Sequence, residues 1–260
     1  MKKIIVLVFS LFCLPVFAFN GTQFGVGVSG TSGFNILAGY YNKSSQNYLL
    51  RHFGVRFDYA NMGPLKSAVD SAIDHIMKDG IDVGDGVKID RGELDSWHSA
   101  LLLDYYPFAG WWRITGGYVW GSADFSAEIF GKIATAPDAR FYFYLAGDHY
   151  FYNGNEFGGR AFIDWNFYGP YLGTGFDIGL FCGFSLFFDA GVVFTNRSAR
   201  LSLDIPHEQL YVYNKDTATW SPVTIPALDK DVIRATQEGN DKLSNYKFFP
   251  MLKLGFVYNF

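Results

Sequence analysis

The chain has 260 residues and a formal net charge of −4 at pH 7, and this mild acidic excess argues against nucleic acid as a partner. Hydrophobic residues make up 49% of it and aromatics 19%, yet beyond the first 18 residues no run is long and apolar enough for a membrane-spanning helix. A helical membrane protein is thereby excluded. A lipocalin-like barrel, a β-sandwich, or a barrel that turns its rings toward lipid and interface remain.

In chain order, Lys2 and Lys3 form a basic start, residues 4–14 are an apolar run, and Val16-Phe17-Ala18 offers small residues where a signal peptidase reads. Residues 1–18 are therefore expected to be a cleaved signal peptide, with the barrel over residues 19–260. Cys13 follows Phe12, where a lipobox needs a small residue, so lipidation is not expected. Cys182 is then the single mature thiol. It rules out an internal disulfide framework, and its apolar neighbours Leu180, Phe181 and Gly183 suggest a packing role.

Eight segments alternate with period two, the mark of a strand with two different faces. The first two are Phe24, Val26 and Val28, then Phe34, Ile36, Ala38 and Tyr40. Phe53, Val55, Phe57 and Tyr59 alternate with Gly54, Arg56 and Asp58, and Trp97, Leu101, Leu103 and Tyr105 with His98, Ala100, Leu102 and Asp104. Ile114, Tyr118 and Trp120 oppose Arg113, Thr115, Gly117 and Val119, and Leu172, Thr174 and Phe176 oppose Tyr171, Gly173 and Gly175. Phe184, Leu186, Phe188, Ala190, Val192 and Phe194 oppose Ser185, Phe187, Asp189, Gly191, Val193 and Thr195. Finally Leu252, Leu254, Phe256, Tyr258 and Phe260 oppose Lys253, Gly255, Val257 and Asn259. The expected fold is all-β: an eight-stranded, antiparallel, up-and-down transmembrane β-barrel of the bacterial outer membrane.

The links between these strands alternate in length. Residues 42–50, 107–110 and 178–183 are expected as short periplasmic turns. Residues 61–93, 128–159 and 204–245 are expected as long extracellular loops, with a tight first outer turn at 29–33. Leu65, Val69, Ile73, Ile76 and Met77 recur at helical spacing and predict an amphipathic helix that covers the mouth or lies at the membrane surface. Residues 229–243 suggest a second helix, and residues 141–157 an aromatic hairpin.

The charged inward positions Arg56, Asp58, Asp104, Arg113, Asp189 and Lys253 are the candidate lumen lining. In so narrow a barrel they either pair across the lumen and close it, or border a narrow passage for small solutes. Ser96 and His98 with Asp104 form a conceivable nucleophile–base pair, but nothing else singles them out, and no enzyme is expected. Asp82, Asp85 and Asp90 lack the spacing of a calcium loop, and His75, His149 and His207 lack metal-ligand spacing. No metal or cofactor is expected. The terminal Phe256, Tyr258 and Phe260 fit the pattern that outer-membrane barrel assembly machinery recognises. The expected surroundings are outer-membrane lipid and lipopolysaccharide.

Four segments carry a family resemblance: Leu101-Leu102-Leu103-Asp104-Tyr105-Tyr106-Pro107-Phe108, Arg113-Ile114-Thr115-Gly116-Gly117-Tyr118, Tyr168-Gly169-Pro170-Tyr171-Leu172-Gly173-Thr174-Gly175-Phe176, and Tyr246-Lys247-Phe248-Phe249-Pro250-Met251 running to Phe260. With these the chain, over roughly residues 25–260, resembles a group of small Gram-negative outer-membrane barrels that includes the ornithine-uptake porin linked to carbapenem susceptibility. The resemblance implies the barrel fold and a porin-like, slow diffusion of small solutes through a narrow channel. A non-conducting barrel that acts through its extracellular loops is the alternative. The predicted helix at 65–77 and the aromatic hairpin at 141–157 depart from the group at the outer mouth.

Overall fold

The computed structural model describes residues 20–76, 81–84, 87–132, 141–152, 156–208 and 210–260. The predicted signal peptide, Met77 and Asp85 lie outside them. In chain order the elements are β1 (Thr22–Ser29), β2 (Gly33–Tyr40), α1 (Tyr48–His52), β3 (Phe53–Asn61), α2 (Lys66–Ile76), β4 (Ile81–Gly84), β5 (Val87–Tyr105) and β6 (Trp112–Lys132). They continue with β7 (Phe141–Leu145), β8 (Asp148–Tyr152), β9 (Glu156–Gly179), β10 (Phe184–Phe194), β11 (Arg200–Asp204), β12 (Leu210–Asn214), β13 (Thr219–Pro222), α3 (Ile225–Leu243) and β14 (Phe248–Asn259).

Eight of the strands close on themselves. β1, β2, β3, β5, β6, β9, β10 and β14 pair antiparallel with their neighbours in that order, and β14 returns to β1 from Gln23↔Asn259 to Ser29↔Lys253. Closure leaves no ladder edge among these eight, so their backbone groups are satisfied without water. Along each strand alternate apolar residues point outward. Leu101 is 60% exposed, and Phe24, Val26, Val55, Phe57, Leu103, Leu172, Leu252, Leu254 and Phe256 stand out with it. So continuous an apolar belt far exceeds what a soluble monomer tolerates in water, and it suits hydrocarbon.

The two ends differ. At one end the links are short, and an aromatic girdle surrounds them: Phe53 packs against Tyr105, Trp111 against Phe176, Phe184 against Tyr258 and Tyr258 against Phe260. Rings with one polar edge are favoured where hydrocarbon meets water. Cys182 sits here, in the turn between β9 and β10, exposed and with φ of 46°. The expected packing role is corrected: the turn needs left-handed backbone at Cys182 and Gly183, and this turns the thiol away from any core.

At the other end β6 runs 21 residues and β9 runs 24, about twice what a bilayer requires. Parts of the loops expected at 61–93 and 128–159 are therefore strand, continuing the barrel wall beyond the apolar belt. Beyond the wall, β7 and β8 form a hairpin, β12 and β13 another, and the two join through β8 and β12 into one sheet. α3 packs on this sheet around Leu145, Tyr150, Ile205, Leu210 and the fully buried Leu228. The helix begins at Ile225, ahead of the predicted Asp229, because Pro226 suits the first helical turn, where its missing N–H costs nothing. α2 lies against β5, with Ile73 next to Gly92.

Candidate functional site in the barrel lumen

Strand alternation turns every second residue inward, and strand tilt then decides which of them meet. Following the ladder from Arg56 on β3 leads through Leu102, Gly117, Tyr171, Val193 and Phe249. At Phe249 the path lies beyond Lys253, the last residue of β14 in register with β1, the stagger that a tilted barrel requires. Side chains distant along the ladder therefore converge across the lumen.

Arg56 on β3, Asp58 on β3, Asp104 on β5, Arg113 on β6, Asp189 on β10 and Lys253 on β14 all point inward and are buried. Arg56 contacts Asp189 at 2.8 Å and Asp104 at 3.4 Å. Arg113 reaches the other oxygen of Asp189 at 2.5 Å and Asp104 at 3.5 Å, and pairs with Asp177 on β9. Asp189 is thus clamped between two guanidiniums. Lys253 meets Asp58 at 2.5 Å, and Asn35 on β2 donates to the same carboxylate at 2.8 Å. Thr115 donates to Asp104 at 2.6 Å, and the Tyr106 hydroxyl to Asp177 at 2.9 Å. Buried charges persist only when paired and hydrogen-bonded in this manner.

Glycines make the room. A Cβ on Gly175 would strike the Asp189 carboxylate and sit 2.9 Å from the Arg113 guanidinium. Methyl groups on Gly173 or Gly191 would run into the Tyr171 ring, and one on Gly255 into Phe187. Small inward residues on one wall are thus filled by large ones from another.

Next to the charged layer lies an apolar one, of Ala100, Leu102, Val119, Phe167, Tyr171, Val193, Phe249 and Met251. Phe167 and Phe249 stack at 4.1 Å between centroids. Leu37, Phe187 and Val257 make a further cluster on the glycine-lined wall. The lumen is filled twice over, once by paired charge and once by packed rings.

Three participants escaped sequence reasoning: Asp177, Tyr106 and Asn35, an inward residue of β2. Asp177 follows Gly173 and Gly175 at the same inward parity, and extending the strand by two residues would have found it. Tyr106 continues the parity of Asp104 in the same way. Ser96 and His98 do not form a pair: Ser96 bonds Ser32 at 3.2 Å and the Ser122 carbonyl at 3.0 Å. Neither ring nitrogen of His98 has a hydrogen-bond partner, although the residue is fully buried. Among the described residues, no three His, Cys, Asp or Glu gather as metal ligands. Of the acidic stretch, Asp82 falls in β4 and Asp90 in β5. Phe256, Tyr258 and Phe260 line an apolar dent on the outer wall together with Phe24 and Phe57.

These features define an up-and-down transmembrane barrel of eight strands with a filled interior and a folded cap at one end. Among solved structures, the chain is similar to Acinetobacter baumannii CarO, at 14% identity over 93% of this chain and 98% of that one, with a TM-score of 0.54. It is similar also to Acinetobacter baumannii CarO2, at 14% identity over 92% and 98%, with a TM-score of 0.56. At this identity the likeness is one of fold, and it agrees with the fold that the sequence resemblance implies. No family model and no curated protein matches the chain.

Proposed function

We propose that this protein is a bacterial outer-membrane barrel that is closed to solutes at rest and holds its folded cap on the cell exterior. One observation carries the reading: the cross-section is occupied by two successive layers, the ion pairs around Asp189 and the apolar cluster around Phe167 and Phe249. Together the two layers close the resting lumen to solutes. In this orientation the short links face the periplasm, and the cap formed by β7, β8, β12, β13 and α3 stands above lipopolysaccharide. The exposed belt faces lipid, and Phe256, Tyr258 and Phe260 provide the outward rings that assembly machinery would grip.

A porin-like channel for slow diffusion of small solutes is the second reading. It is favoured by a wall that carries both signs of charge, from Arg56, Arg113 and Lys253 to Asp58, Asp104 and Asp189, as a passage for zwitterions also requires. Conductance of the refolded full chain in a planar bilayer at neutral pH separates the two. A barrel that migrates differently before and after boiling, yet passes no current, supports the closed reading. Discrete current steps that change with Asp189→Asn would overturn it in favour of the channel.

A further inference from the structure

Among the described residues, His98 is a fully buried lumen residue with neither ring nitrogen in a hydrogen bond. It lies on β5 between two small neighbours, Ala60 across the ladder on β3 and Gly121 across the ladder on β6. One strand beyond Ala60 is Asn35, whose Oδ1 is likewise buried without a partner. Buried polar atoms are normally satisfied, and unpaired ones on a histidine mark a group kept for something other than packing. An apolar residue would be buried here with less penalty.

Two charged groups stand by the ring: Asp58 on β3, which is opposite Ala100 and so diagonal to His98 across the ladder, and Lys253 on β14, which pairs with Asp58. The register neighbours of His98 on this face carry no charge: Ala60 on β3, Asn35 on β2, Gly121 on β6, and Ser96 and Ala100 on β5 itself. His98 therefore stands beside a single ion pair, the Asp58–Lys253 link that ties β3 to β14 across the lumen.

We infer that the barrel is an acid-opened conductor of small ions, with His98 as the proton-binding residue. This rests on the closed-lumen reading. A proton from the aqueous side attaches to the lone pair of a ring nitrogen, and no other bond is made or broken. The resulting imidazolium competes with Lys253 for the Asp58 carboxylate and repels the Lys253 ammonium. Freed from Asp58, Lys253 has a second carboxylate at hand in Asp189, its cross-strand neighbour on β10. The β3–β14 link loosens near the wall where the Phe187 ring packs over Gly27 and Gly255, and a hydrated path opens beside the apolar cluster. Neutral His98 restores the pair and the closed state.

The test is single-channel recording of the full chain in a planar bilayer in potassium chloride, lowering the pH in steps from about 7 to about 3, through and well below the usual histidine range. The expected result is silence at neutral pH and discrete openings in acid, rising by up to about tenfold per pH unit as one proton binds. His98→Gln should stay silent throughout, and His98→Lys should conduct at neutral pH. Current at neutral pH in the unaltered protein would overturn the closed-lumen reading itself. Silence at every pH in a barrel that still shifts on boiling would leave that reading standing and sink the acid opening. Openings that persist in His98→Gln would also sink it. Should the variants not fold, NMR of the histidine-labelled wild-type protein decides: a His98 signal that does not titrate where the openings appear overturns the inference.

Discussion

Arg113 in the lumen and Leu228 in the cap are both essentially without solvent exposure, but their surroundings are opposites. Arg113 is held by carboxylates from three other strands, inside a wall whose outer face is apolar. Leu228 is held by apolar residues of α3 and the small sheet, under an outer surface that is polar in the usual way. The barrel is inside-out because its outer solvent is hydrocarbon, while the cap is built for water. The comparison teaches that the two regions draw stability from different sources and should fail separately.

The sharpest way to break that separation is Asp189→Ala. It takes one carboxylate from each of two buried guanidiniums, leaving Arg56 with Asp104 alone and Arg113 with Asp104 and Asp177, and removing one partner of a buried pair costs about 3–5 kcal/mol. The measurement is the urea midpoint for loss of heat-modifiable migration after refolding into vesicles. The companion pair Asp58→Asn and Lys253→Met sharpens the result. Each alone should destabilise the barrel strongly, whereas the double variant should recover most of the loss, because two neutral groups leave no orphan charge. A double variant as weak as the sum of the two singles would show that Asp58 and Lys253 are not coupled.

Leu228→Ala is the matching insult to the cap. Truncating a buried leucine costs about 2–5 kcal/mol, and here the loss should appear as faster proteolysis or hydrogen exchange within β7, β8, β12, β13 and α3. The barrel's shift on boiling should be unchanged. Burial of Tyr150, together with its hydrogen bond to Asp231, pushes the phenol above its ordinary pKa, so the hydroxyl stays protonated and the tie to α3 persists across neutral pH. Cap and barrel unfolding together in Leu228→Ala would refute their independence.

Legibility in the sequence follows the same division. The barrel was readable because alternation is local: Phe53 to Tyr59 or Leu252 to Phe260 reveals its two faces without knowledge of any partner strand. Inward charge was readable for the same reason, and Asp177 was missed only where the strand was ended too early. The cap was not readable, because its sheet forms where β8 pairs with β12, Val212 opposite Tyr150, between hairpins from different loops. Nothing local in residues 204–245 announces that pairing, and only α3 gave a periodic signal. Cys182 misled because an apolar neighbourhood in sequence does not reveal the backbone sign of a turn. His98 was noted for its spacing from Ser96, but an unpartnered ring is a property of three-dimensional surroundings and has no sequence signal.

The lipid-facing side of the comparison is tested by Leu101→Arg. Leu101 lies at the centre of its strand's apolar run and is exposed, and a cation at the midplane of a membrane barrel costs about 2–4 kcal/mol. Refolding into vesicles should be impaired by that amount, and the same change at the exposed Glu93, beyond the belt on the same strand, should have little effect. Equal tolerance at both positions would mean that water, and not hydrocarbon, covers the belt.

The smallest effect concerns how cap and wall are joined. Asn240 on α3 accepts from the Leu201 amide at 2.7 Å and donates to the Leu201 carbonyl at 3.1 Å, which ties the helix to β11 and through it to β9. A side-chain amide that satisfies both groups of one residue completes a strand edge that would otherwise need water. Asn240→Ala removes both bonds at a half-buried position, for a net loss of about 1–2 kcal/mol. Neither the apolar core around Leu228 nor the ion pairs around Asp189 is touched, so both regions should keep their own stability. What should change is hydrogen exchange at the Leu201 amide and protease access between β11 and α3. If exchange instead rises throughout the cap, the joint is part of the cap's own core, and the boundary between the two regions lies at β9 rather than at β11.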